Sequence, residues 1–245
     1  MEYKGYIQRA IIQLIFTHMK TKSPLGYTHN NIINASVSFF NVSQFDKEFT
    51  TDFTRFINDK EGYKFIKILD NFGILGYILP EVAVLKKVVQ NKKYGKTALE
   101  HTLLVLKYLE PKGNDILTWA TLLHDIGKYN TKTIDKKGRT HFFFHEQESV
   151  KLAKNILKRF QFDDKFINLT CNIIKNHMLP LNFQRKGEWS KKALLKFIDV
   201  CGMEYGLIID LAVADKKSSS LNKEYLKPLY RLKEEVNNLN KGKVI

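Results

Sequence analysis

The chain has 245 residues, 44% of them hydrophobic, which suffices for the core of one large domain, with or without a small appendage. Lys and Arg number 40 against 25 Asp and Glu, a formal net charge of +15, and an excess of that size favours polyanionic partners such as RNA or DNA. A composition rich in Lys, Asn, Ile and Phe yields the same excess with no nucleic-acid role, and composition alone leaves both readings open.

Residues 6–19 place Ile7, Ala10, Ile11, Leu14, Ile15 and Met19 at helical spacing. The apolar stretch 10–16 is interrupted by Gln13 and is far shorter than the roughly 20 residues of a spanning helix. No small-residue cleavage site follows it, so neither a membrane span nor a signal peptide is expected. Ser23-Pro24-Leu25-Gly26 breaks the pattern, and 28–42 is polar, Asn-rich and ambiguous. Residues 1–44 therefore read as an N-terminal extension of unknown role, ahead of a unit spanning 45–245. Amphipathic helices are expected over 49–57 and 63–72, and Leu79-Pro80-Glu81 starts another with Pro in its first turn. Residues 97–109 form a helix closed by Pro111 and Gly113. The nearly unbroken apolar run 116–126 predicts a buried central helix ended by Gly127. A charged turn at 135–138 leads to 140–144, extended or looped. Helices follow over 145–160, 164–177 (stopped by Pro180), 190–201 and 204–215, and a charged terminal helix over 221–239. No sustained alternating pattern appears, so the fold class is all-α. Cys171 and Cys201 lack metal or redox spacing, which fits a reduced, cytoplasmic protein.

His124 and Asp125 are adjacent at the end of the apolar helix. A buried carboxylate costs several kcal/mol unless it is paired or metal-bound, and the negative end of a helix dipole makes it worse. A divalent cation reverses that penalty. A solvent-facing helix end accounts for the pair equally well, and this segment alone does not decide.

The wider order of motifs is more specific. Leu99-Glu100-His101-Thr102, His124-Asp125-Ile126-Gly127-Lys128, Phe144-His145-Glu146, Asn176-His177-Met178 and Ala214-Asp215-Lys216 follow one another in that sequence. The chain thereby resembles the HD superfamily of metal phosphohydrolases, with its ordered His, His-Asp, His, His, Asp, over about residues 65–220. In particular it is similar to the HD domain attached to bacterial CCA-adding tRNA nucleotidyltransferases. That likeness rests on Phe72-Gly73-Ile74-Leu75, Leu79-Pro80-Glu81, Glu100-His101-Thr102-Leu103, Gly138-Arg139-Thr140-His141-Phe142-Phe143, and His177-Met178 ahead of Pro180-Leu181.

The resemblance implies an HD-type helical bundle with a small N-terminal extension. It implies one metal held by His101, His124, Asp125 and Asp215, and a second held by His145, His177 and a bridging Asp125. Imidazole and carboxylate ligands suit Mn, Fe, Co, Ni or Zn, whereas an all-oxygen site suits Mg. Two ions about 3.5–4 Å apart activate water and neutralise phosphoryl oxygens. Asp125 and Lys128 are then the catalytic candidates, and Lys128 and Arg139 the phosphate-binding ones. His141 rivals His145, and Asp210 rivals Asp215; five residues apart on a helix, the two aspartates face different ways. Glu100 and Glu146 are candidates for orienting histidine rings. His18 and His29 lie outside the pattern.

The expected function is hydrolysis, by metal-activated water, of a phosphomonoester or (cyclic) phosphodiester of a nucleotide or RNA end. The alternatives are an HD-type di-iron oxygenase and a non-catalytic RNA-binding module with a vestigial metal site. Residues 1–44 contain neither a Gly-rich nucleotide loop nor a carboxylate pair on a sheet, so nucleotide addition is not expected.

Overall fold

In the computed structural model, residues 2–21, 37–40, 44–91, 96–184, 189–219 and 223–241 are described. The ambiguous stretch 28–42 falls outside them except for a 3-10 turn at Val37–Phe40, and His29 falls outside altogether. Helix α1 (Glu2–Thr21) leads to α2 (Lys47–Ile57) and α3 (Gly62–Asn71). Asp46 starts α2 by accepting the Phe49 N–H at 2.7 Å. The helical repeat then aligns Phe49, Phe53, Phe56 and Ile57 on one buried face. Two single-turn helices follow, α4 (Leu75–Ile78) and α5 (Pro80–Ala83), with Pro80 at the first position of the latter, where no N–H is required.

Helix α6 (Ala98–Tyr108) opens on a reciprocal cap between Thr97 and Glu100. Helix α7 (Asp115–Leu123), capped by Asn114, is buried at every position from Leu117 to Leu123 and runs through the centre of the molecule. Trp119 sits there against Phe160, with ring centroids 4.8 Å apart, and its indole N–H donates to Thr54 Oγ1 at 3.0 Å. Short α8 (Lys128–Thr131) precedes α9 (His145–Arg159) and α10 (Asp164–Asn176), which pack on each other. Then come α11 (Leu179–Gln184), α12 (Lys191–Cys201), α13 (Tyr205–Ser219), which packs on α6, and α14 (Lys227–Lys241).

The all-α expectation holds, with local refinements. Two antiparallel ribbons interrupt the helices: β1 (Val89–Asn91) with β2 (Lys96–Thr97), and β3 (Lys132–Ile134) with β4 (Thr140–Phe142). The stretch 140–144 is thus extended in its first three residues. The central helix ends at Leu123 rather than at Gly127, and Gly127 leads into α8. Pro180 does not stop a helix; it takes the second position of α11, in a first turn that needs no N–H. No helix among the described residues is long and apolar enough to cross a membrane.

Candidate metal centre

Five segments deliver polar side chains to one buried point. His101 comes from the middle of α6, and His124 is the C-cap of α7, with Asp125 directly after it. His145 opens α9, His177 caps α10, and Asp215 lies in α13. Asp125, His124 and His177 are each 1% exposed. Nitrogen and oxygen atoms of His101, His124 and Asp125 lie within 4.8 Å of one another, as do those of Asp125, His145 and His177. Asp125 belongs to both groups. Asp215 joins at the side, its Oδ1 3.2 Å from His101 Nε2.

Hydrogen bonds fix how the rings present themselves. His124 Nδ1 lies 2.7 Å from Thr121 O, His145 Nδ1 2.9 Å from Phe142 O, and His177 Nδ1 2.7 Å from Ile174 O. A carbonyl oxygen only accepts, so each Nδ1 carries the proton, and in the neutral ring Nε2 offers a lone pair. His101 reaches the same state by another route. Ser218 donates its hydroxyl proton to Asp215 O at 2.7 Å, and its oxygen meets His101 Nδ1 at 2.9 Å. Asp125 Oδ1, His124 Nε2 and His145 Nε2 are buried without any hydrogen bond. His145 Nε2 is 3.3 Å from Asp125 Oδ1, close in distance yet lacking hydrogen-bond geometry. Lone pairs and carboxylates converging at a buried point are suited to a cation, and a divalent transition metal fits this mixed nitrogen and oxygen donor set.

Charge within the cluster is strongly coupled. Burial opposes the charge on Asp125, but His124 and Lys128 beside it outweigh burial and hold its carboxyl well below the usual range. Burial likewise opposes a charge on His124, and neighbouring Asp125 overrides it, raising that ring's pKa. His177, buried and facing His124, is pushed down to about 3, so it is neutral and available as a ligand. Asp215 is held at about 2: burial pushes it up, and the adjacent His101 imidazole, with its Nε2 3.2 Å away, more than compensates.

The other expected residues occupy varied positions. Lys128 Nζ contacts Asp125 Oδ2 at 2.6 Å and lies 5.6 Å from the Phe142 ring centroid, at the edge of the cluster. Arg139 is not brought into the cluster; its Nε donates to Asp135 at 2.7 Å on the exposed β3–β4 turn. His141 also binds Asp135, at 3.1 Å, and Asp210 pairs with Lys233, so neither rival joins the centre. Glu100 does not orient His101: its carboxylate accepts the Thr97 N–H at 2.8 Å. Glu146 Oε2 lies 3.5 Å from His145 Nδ1, outside the ring's shorter bond to Phe142 O. The residue that does orient His101 is Ser218, which no motif or spacing in the sequence singles out.

Residues 98–215 match the HD domain family model, and the chain carries an HD domain. The region is similar to the CC-adding tRNA nucleotidyltransferase of Thermus thermophilus, 30% identical over 125 residues, which is 49% of this chain and 29% of the relative. It is also similar to the A-adding tRNA nucleotidyltransferase of Deinococcus radiodurans, 31% identical over 120 residues, or 47% and 28% of the two chains. A multifunctional CCA protein of Alkalilimnicola ehrlichii is 30% identical over 139 residues, 55% of this chain and 32% of its own. The matches thus span less than a third of each of these relatives.

Proposed function

We propose that this protein is a metal-dependent phosphohydrolase acting on a phosphomonoester or (cyclic) phosphodiester at an RNA end or on a nucleotide. The observation that carries the reading is the convergence of histidine Nε2 lone pairs on Asp125, a carboxylate shared by two ligand groups. His101, His124, Asp125 and Asp215 would hold one ion; Asp125, His145 and His177 would hold a second. Metals so placed would polarise a water molecule and neutralise phosphoryl oxygens.

The chain's own residues do the rest. The three carbonyl-anchored rings stay in one tautomer and one orientation, so the site is arranged before substrate arrives. The Lys128 amino group lies 2.6 Å from Asp125 Oδ2, placed to meet a non-bridging phosphate oxygen. Arg139 is engaged only in a solvent-screened surface pair with Asp135, so a substrate phosphate can compete for it. The net charge of +15 and the tRNA enzymes among the relatives support an RNA end over a free nucleotide.

The test is a screen of the purified chain with Mn, Fe, Co, Ni and Zn against 2′,3′-cyclic nucleotides, nucleoside monophosphates and phosphorylated RNA ends. Asp125→Ala runs alongside. Turnover with at least one metal, abolished by the substitution, is the expected result. If no metal produces turnover that Asp125→Ala removes, the reading fails.

A further inference from the structure

The segment leading into His145 carries aromatic side chains that the core does not use. Phe142 packs against the core, but Phe143 and Phe144 stand 63% and 67% exposed. Phe144 also takes a left-handed backbone, with φ of 60°. A bulky residue there is an outlier, whereas glycine adopts the conformation freely. The turn is needed, because the Phe144 carbonyl accepts the Gln147 and Glu148 N–H groups as α9 begins. A phenyl ring at that position is not needed for the turn, and most of it stands in solvent. Strained, exposed aromatics beside a reactive centre point to a ligand.

Phe143 is held as a rigid surface. Its ring stacks on His141, with centroids 5.1 Å apart and planes 8° apart. His141 is fixed in turn by Asp135 at 3.1 Å. One face of Phe143 is thus backed by a second ring. Lys136 and Lys137 project from the turn of the same hairpin, exposed and without an ion pair among the described residues. At roughly 3.4 Å per residue of extended chain, Lys137, on the turn before β4, lies within about 17 Å of Phe142. On the other side, Phe143 is two residues from His145, at most about 7 Å of backbone. Open aromatic faces flanked by unpaired cations are the recognition chemistry of single-stranded nucleic acid: bases stack on the rings while the cations follow the phosphates.

We propose that Phe143 and Phe144, with Lys136 and Lys137 on the adjoining hairpin, form a stacking platform that holds the unpaired bases of an RNA end beside the metal centre. The proposal deepens the hydrolase reading by naming single-stranded RNA as the substrate class, and it rests on that reading for its location. The platform selects for unpaired bases, because a base in a duplex has no free face. The occupant is RNA rather than an apolar protein surface because the exposed rings share their hairpin with unpaired lysines.

The experiment measures fluorescence anisotropy of the full chain with a labelled single-stranded RNA and with an abasic ribose-phosphate strand of equal length. The wild type is expected to prefer the base-bearing strand by about ten-fold or more. Phe143→Ala with Phe144→Gly should abolish that preference, with no loss in melting temperature, since the glycine relieves the left-handed strain. Lys136→Ala with Lys137→Ala should weaken both strands alike and reduce the salt slope by about 1.4. No preference in the wild type, or a preference that survives loss of both rings, overturns the platform. Metal-dependent release of p-nitrophenol from bis(p-nitrophenyl) phosphate tests the hydrolase reading separately. Release without base preference overturns the platform and leaves the hydrolase standing. Base preference lost with the rings, in a protein that turns over neither this diester nor any substrate of the metal screen, supports the platform and overturns the hydrolase.

Discussion

Ser218 does for His101 what main-chain carbonyls do for the other three rings, and it does so across 117 residues of sequence. Its proton is committed to Asp215 O, so its oxygen is free to accept from His101 Nδ1. Removing the hydroxyl leaves His101 free to swap tautomers, which would turn an N–H towards Asp215 and the neighbouring metal position. Ser218→Ala is therefore expected to weaken metal binding at the His101 side by about ten-fold or more. The His145 and His177 side should be little affected, since those rings keep their carbonyl partners. Stepwise metal titration by calorimetry checks this; two sites weakened equally would contradict it. The contrast with Glu100 explains what the sequence conceals. Consecutive helical residues project about 100° apart, so the neighbour of a histidine in sequence is seldom the neighbour of its ring. Glu100 turns back to cap its own helix, while the true partner sits in the run Lys216-Lys217-Ser218-Ser219, which reads as an ordinary polar helix end.

Gly127 illustrates the same point for packing between elements. Read from sequence, it ends the central helix; in the structure it lets α8 approach α9. A Cβ at this position would collide with the backbone oxygen of His145 and lie 2.7 Å from the Ser149 nitrogen. The Gly127 N–H also donates to Ser149 Oγ at 2.9 Å. Gly127→Ala should therefore cost about 1–3 kcal/mol through overpacking, and it should displace His145 as well. Gly76→Ala is the matched control, because nothing lies within 4 Å of a Cβ there and alanine favours the helix. Urea titrations should show the midpoint falling for the first and holding or rising for the second. Long elements such as 145–159 were legible because their apolar residues repeat over several turns, burying Ser149, Ala153, Ile156 and Leu157 on one side. The ribbons were not, since strands of two or three residues are too short to display an alternation.

Across the whole molecule, the extension expected to end near residue 44 is continuous with the main core. Ile12 and Ile15 of α1 are fully buried in the same cluster as Phe53 and Trp119. Phe16 stacks on Phe56 with centroids 4.1 Å apart, while Arg9 reaches Asp52 at 3.0 Å and Lys20 pairs with Asp59. The exposed ion pairs add little, so the apolar contacts carry the attachment. Phe16 of α1 and the Phe-rich face of α2 then lead, through Trp119 and Phe160, directly to the helix that His124 caps. Ile12→Ala is expected to cost about 2–5 kcal/mol. Because the core is shared, that loss should lower the midpoint of one transition, seen alike by Trp fluorescence and by helical circular dichroism. Trp119, fully buried beside Phe53, reports on the centre of the bundle. A biphasic melt, in which a minor helical signal is lost early while the fluorescence transition stays in place, would show instead that α1 unfolds as an independent attachment. Coincident shifts in both signals would make α1 part of the framework that holds α7, and with it His124 and Asp125, in position.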